Sequence, residues 1–199
     1  MSSETQTQAH TELIVDVGPV AHGGHCVARH EGRVVFVRHG IPGEKVRVRL
    51  TESGPEAKFW RGDVVEVLAA SPDRVEHFWD LADSARSWSH RHPPVGGAEL
   101  GHISLERQRR LKAEVLAEQL HRLAGVDLPH AGKGIVEAVG EPGTPVTAGL
   151  GWRTRAGFAV TPAGKLGMHA HRSDTILPVR EMPLAVDAIN ALRLWDIDL

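Results

Sequence analysis

The chain has 199 residues, 24% charged and 41% hydrophobic, with a formal net charge of −2. That composition is ordinary for a globular protein and excludes collagen-like, disulfide-rich and wholly disordered chains. No apolar run is long enough to span a membrane, the start MSSETQTQAHTE lacks the apolar stretch of a secretory signal, and the single cysteine, Cys26, makes neither an internal disulfide nor a multi-thiolate metal site; the expected compartment is the cytoplasm.

Residues 1–10 are predicted to be a disordered tail. From Leu13 onward, short β-branched runs follow one another: Leu13–Val17, then Val27, Val34–Val37, Val46–Leu50 and Val64–Val67. Gly- and Pro-containing clusters separate them, among them HGGH at 22–25, HGIPGE at 39–44 and ESGPE at 52–56. The stretch Lys45-Val46-Arg47-Val48-Arg49-Leu50 alternates strictly, apolar in and cationic out. Five such strands within residues 11–70 predict a small closed barrel of the oligonucleotide-binding type.

Residues 71–103 read as an irregular linker pinned by Trp79 and Trp88. Residues 104–199 are predicted to form a partial antiparallel α+β domain, making the whole chain mainly β with α+β. Its first element is a helix capped by Ser104 and stopped at Gly125. Leu111, Val115, Leu116, Leu120 and Leu123 give that helix an apolar stripe. Arg107, Arg109, Arg110 and Lys112 crowd its first half, against the helix dipole, and read either as solvated charge or as phosphate contacts. Beyond it, a short strand is predicted near Ile135–Val139. Alternating segments follow at Trp152–Thr161, Lys165–His171 and Asp174–Val179, with PAG at 162–164 as a hairpin turn. Pro183 to Leu194 is predicted as a helix, and Trp195–Leu199 as an extended, apolar end.

The near-neutral total hides two basic segments. Residues 20–62 carry eight Lys or Arg against four Glu, and residues 151–181 carry five against two acids. Such segments suit a polyanion, although the outer face of a small barrel also needs polar residues. The close histidine pairs, His22–His25, His90–His92 and His169–His171, match no recognised zinc spacing, so no metal is expected. No GxSxG, Walker or GxGxxG motif occurs.

Four strings, in order, resemble the RNA (uracil-5-)methyltransferase family. VGPVAHGGHCVARHEGRVVFVRHGIPGEKVRVRL is similar to its N-terminal TRAM barrel, which binds RNA. VGGAELGHISLERQRRLKAEVLAEQLHRLAG resembles the segment that follows, GWRTRAGFAV its Gly-aromatic-Arg strand, and SDTILPVREMPL its Ile-x-Pro-Val-x-x-Cys-Pro-Leu string. Many members hold a four-iron cluster on four thiolates. Here Val95 and Ala98 stand where two of those cysteines would be, and Met182 stands at another. The first ligand would fall near Trp79 or Ser89. No iron–sulfur cluster is therefore expected, and apolar residues are expected to fill its space.

The resemblance implies a chain that binds ribosomal or transfer RNA for a uracil-C5 methyltransferase using S-adenosylmethionine. The chain ends where that catalytic domain, with its cofactor site and nucleophilic cysteine, would begin. It is expected to be inactive alone, its partners being RNA and the missing domain. The alternative is a stand-alone TRAM-type RNA-binding module without methyl transfer. On either reading the expected RNA contacts are Arg29, Arg38, Lys45, Arg47, Arg49, Lys58 and Arg61 on the barrel, with Phe59 or Trp60 as a stacking face. Arg153, Arg155, His169 and Arg172 are the expected contacts further on, Arg153 and Arg155 sharing one strand face.

Overall fold

A computed structural model describes residues 11–128, 136–138 and 149–197. The described residues divide into two compact units, one ending at Ser71 and the other beginning at Pro72.

The first unit is one curled sheet of five strands: β1 (Glu12–Asp16), β2 (Cys26–His30), β3 (Arg33–Arg38), β4 (Lys45–Glu52) and β5 (Phe59–Ala69). Their order is β1-β4-β5-β3-β2. All neighbouring pairs are antiparallel except β3 and β5, which run parallel. The chain leaving β1 then turns onto β2. Gly18 donates its N–H to Val27 O at 2.8 Å, and Val27 donates back to Pro19 O at 2.9 Å. These bonds bring the two ends of the sheet together, as expected for an oligonucleotide-binding barrel. Only glycine permits this approach, because a Cβ at position 18 would lie 2.5 Å from Val27 O.

Alternation along the strands fills the interior. Val15, Val17, Cys26, Ala28, Val35, Val37, Val46, Val48, Leu50 and Val64 form one apolar cluster. Their removal from water is the main drive for folding of this unit. Glu44 is fully buried and accepts from Ile41 N at 2.9 Å and Ser71 N at 3.1 Å, tying the β3–β4 turn to the residues after β5.

The second unit is less regular. A short helix α1 (Ser84–Ser89) is followed by α2 (Leu105–Ala124), then by a three-stranded antiparallel sheet of β6 (Ala159–Val160), β7 (Leu166–His169) and β8 (Ile176–Pro178), and finally by α3 (Asp187–Asn190). Ser104 caps α2 by accepting from Arg107 N, and Gly125 ends it at φ 64°. The 162–164 turn joins β6 to β7. Trp79, Val95, Ala98 and Met182 all lie in a single buried cluster with Leu166, Leu177, Val179 and Leu184. Val95, Ala98 and Met182, which the resemblance pairs with thiolates, thus converge from two separate segments together with Trp79, one of the two places offered for the first ligand, and the side chains at that point are apolar.

Four expectations are corrected. The apolar stripe of α2 is buried only in its first half: Leu111 and Ala113 are inside, whereas Leu116 and Leu123 are exposed. The packed half is the one that Gln108 ties to the Leu100 and Ile103 carbonyls. Residues 152–158 do not form a strand. The N–H groups of Trp152 and Arg153 converge on the one carbonyl of Leu184, so no ladder can propagate. The helix predicted over Pro183–Leu194 shrinks to Asp187–Asn190, because residues 182–185 are folded into a turn held by Asn190 and Arg193 adopts φ 46°. Residues 194–196 form a 3-10 turn rather than an extended end. Of the strand expected near Ile135–Val139, the two end residues lie outside the described residues, and Val136–Ala138, which are described, are not strand.

Candidate nucleic-acid interface

The outer surface of the barrel has two chemically different faces. Over β1, β4 and β5, the period-two pattern of β4 puts Lys45, Arg47 and Arg49 outward. Each meets a carboxylate on a neighbouring strand. Lys45 lies 3.9 Å from Asp16, Arg47 donates to Glu66 at 2.7 Å, and Arg49 donates to Glu12 at 2.6 Å. Arg61 is likewise paired with Glu52. This face is a ladder of cross-strand ion pairs whose net field is small. Four of the expected RNA contacts are thus already neutralised at short range.

Arg38 is corrected further. The parallel β3–β5 register sets it opposite Asp63, and its side chain forks onto that carboxylate, Nε to Oδ1 at 2.7 Å and Nη2 to Oδ2 at 2.8 Å. Arg38 is 8% exposed and Asp63 is fully buried. This pair holds two strands together and is not part of the surface.

The other face spans β2, β3 and β5. Register places Val27 beside Phe36 and Phe36 beside Arg61, and in the next row Arg29 beside Val34 and Val34 beside Phe59. The rings of Phe36 and Phe59 meet edge to face, centroids 5.2 Å apart. His25 lies edge-on to Phe36 at 6.4 Å, and the Arg61 guanidinium sits 4.7 Å from the Phe59 centroid. Arg29 and Lys58 are exposed and make no ion pair among the described residues. This is an aromatic surface bordered by cations, the combination that stacks bases while attracting phosphate.

The loop that presents Phe59 is clamped from below. Arg33 donates to Gly54 O at 2.8 Å, Ala57 O at 3.1 Å and Pro55 O at 3.3 Å, and stacks on Trp60 at 4.6 Å. Trp60 donates Nε1–H to Gly54 O at 3.1 Å and packs on the barrel core. Of the two expected stacking residues, Phe59 therefore faces out and Trp60 braces. Phe36 is the residue that sequence reasoning missed; its signal was its out-facing place in the alternation of Val34–Val37.

In the second unit, Arg153 and Arg155 lie in the irregular segment before β6 rather than on one strand face. Arg153 is half-buried, with its guanidinium 3.4 Å from Gly97 O and 5.2 Å from the Trp152 ring centroid. Arg155 is exposed. His169 is exposed in β7, and Arg172 is exposed in the turn that follows, at φ 50°. That turn is tied to the segment Arg153 touches, since His171 N donates to Pro94 O at 2.9 Å. Among the described residues no group of three or more His, Cys, Asp or Glu converges on a point suited to a metal ion. No described helix is long and apolar enough to cross a membrane.

Comparison with known proteins fits this geometry. Residues 6–67 match the TRAM domain. An uncharacterised RNA methyltransferase of Streptomyces coelicolor is 43% identical over 96% of this chain and 41% of its own length. A second, from Streptomyces avermitilis, is 42% identical over 94% of the chain and 42% of its own length. The 23S rRNA (uracil(1939)-C(5))-methyltransferase RlmD of Halomonas elongata is 33% identical over 94% of the chain and 34% of its own length. The chain spans about two fifths of the length of the first two relatives.

Proposed function

We propose that the chain, whose residues 6–67 match the TRAM domain and which is similar to RNA methyltransferases over most of its length, is an RNA-holding part of such an enzyme and that the β2–β3–β5 face of the barrel is where RNA is held. The observation that carries this reading is the Phe36–Phe59 pair, Phe59 exposed and Phe36 half-buried, with the exposed Arg29 and Lys58 beside it. Aromatic rings offer a stacking surface for unpaired bases, and RNA exposes its bases in loops and single strands. Arg29 and Lys58 supply charge that no carboxylate among the described residues has taken. Lys45, Arg47 and Arg49 sit on the ion-paired face and contribute mainly to the sheet. Arg153, Arg155, His169 and Arg172 are proposed as further contacts carried by the second unit.

The reaction served is proposed to be transfer of a methyl group from S-adenosylmethionine to C5 of a uracil in ribosomal or transfer RNA. Attack at uracil requires the base to leave its stack, so a module that grips unstacked RNA is a suitable companion. No residue of these 199 is assigned a part in the methyl transfer itself. A chain that holds RNA without serving any methyl transfer is the second reading.

Salt titration of binding to a structured uridine-containing RNA tests the proposal. Affinity is expected to fall with salt at about 0.7 log units per log unit for each single-strand phosphate contact. Replacing Phe36 and Phe59 together by alanine is expected to weaken binding by about 1–3 kcal/mol per stacked base lost. An unchanged affinity in that variant removes the β2–β3–β5 face from the proposal.

A further inference from the structure

Trp152 is the most exposed of the described Phe and Trp residues, at 60%. The backbone that carries it is tied down by hydrogen bonds. Gly151 N donates to Pro183 O at 3.1 Å, and Trp152 N and Arg153 N both donate to Leu184 O, at 3.0 and 2.8 Å. Val186 N returns a bond to Arg153 O at 2.9 Å. Leu184 and Ala185, inside that embrace, belong to the buried core. The indole therefore stands on backbone fixed to the core while contributing little to it.

The cation beside it is also held. Arg153 Cζ lies 5.2 Å from the indole centroid, and Nη2 donates to Gly97 O at 3.4 Å. Gly97 sits at φ +97°, and a Cβ there would come within 3.2 Å of both terminal nitrogens of Arg153. A bare glycine thus gives the guanidinium its seat. Arg155, exposed two residues on, adds a second positive charge.

We propose that Trp152 is a base-stacking site of the second unit. It takes an unpaired nucleobase of RNA on its indole, while Arg153 and Arg155 attract the adjoining phosphates. Its preorganised backbone and anchored cation reduce the ordering cost of binding, and a stacking contact tolerates any base because each has a π-face. The inference rests on the reading of the chain as an RNA binder but concerns a site separate from the barrel face.

The test titrates an unstructured oligoadenylate RNA into the intact chain, following label anisotropy and tryptophan emission. Trp152→Ala is expected to weaken binding about five- to 150-fold. Trp152→Phe is expected to keep most of the affinity while losing most of the RNA-induced change in emission. Wild-type affinity in Trp152→Ala, or an unaltered emission change in Trp152→Phe, overturns the proposal. The Phe36→Ala/Phe59→Ala variant runs in parallel. If it alone loses affinity, the barrel reading survives and the Trp152 site falls; if Trp152→Ala alone does, the reverse holds; if the intact chain binds no RNA, both fall.

Discussion

The two units bury their apolar residues by different means. In the barrel, backbone ladders pair all five strands, and side chains are left to pack inside and pair charges outside. In the second unit the ladders are short, and polar side chains take over that task. Gln108 donates to Leu100 O and Ile103 O, Asn190 both accepts from and donates to Met182 and donates to Ala185 O, and Ser87 donates to Leu81 O. His77 accepts from Trp79 N at 3.0 Å and lies 3.0 Å from Ala98 O. Buried main-chain groups must find partners. Where regular structure does not supply them, single side chains become structural elements, and the sensitive positions differ accordingly.

The largest effect should come from the barrel. Asp63→Ala strands Arg38 in a buried site and is expected to cost about 3–5 kcal/mol, read as a shift of the urea midpoint. A smaller loss would show that Arg38 can swing into water. In the second unit, Asn190→Ala removes three hydrogen bonds around residues 182–185, with an expected cost of about 1–3 kcal/mol. If unfolding of the Asn190→Ala variant matches the parent, the side-chain clamp is decorative and the contrast between the units weakens.

A pH series sharpens the same contrast. Burial pushes the His77 imidazole pKa below its ordinary value, with the Ala98 carbonyl, Asp83 and Asp80 acting the other way. The neutral ring accepts from Trp79 at Nδ1, so Nε2 is the atom that donates to Ala98 O. Below a pH of about 6.5, the ordinary histidine pKa, the unfolded chain takes up a proton that the folded chain refuses. Stability is thus full above that pH and declines as the pH falls toward the lowered folded value. His77→Gln should flatten the decline in the unfolding midpoint between these limits. The smallest effect belongs to the outer ladder: Glu66→Gln should change stability by less than about 1 kcal/mol, and a larger loss would make the surface pairs structural.

The barrel was legible because its signal is local. Alternation such as Lys45–Leu50 states both the strand and its inward face, and Ser104 with Gly125 marks both ends of α2. Sequence alone could not say that Arg38 meets Asp63, since a parallel β3–β5 register separates them by 25 positions. It also could not show which cations of β4 find carboxylates across the sheet. The alternation of residues 152–158 misled because three successive N–H groups, from Gly151 to Arg153, are captured by the Pro183 and Leu184 carbonyls. Convergence of Val95, Ala98 and Met182 followed from the resemblance rather than from any periodicity, and the resemblance left open whether Trp79 or Ser89 would join them.

The Gly18–Val27 closure has one more consequence. A sheet with an open margin offers unpaired amides and carbonyls to other chains, which is how intermolecular β-assembly starts. Bonding the ends of the barrel sheet to each other leaves little for a neighbouring molecule to template on. The β6–β7–β8 sheet has two margins, yet these are strands of two and three residues, the latter ending in Pro178, which has no amide hydrogen to give. Colloidal resistance is therefore built into both sheets, by closure in one and by brevity in the other.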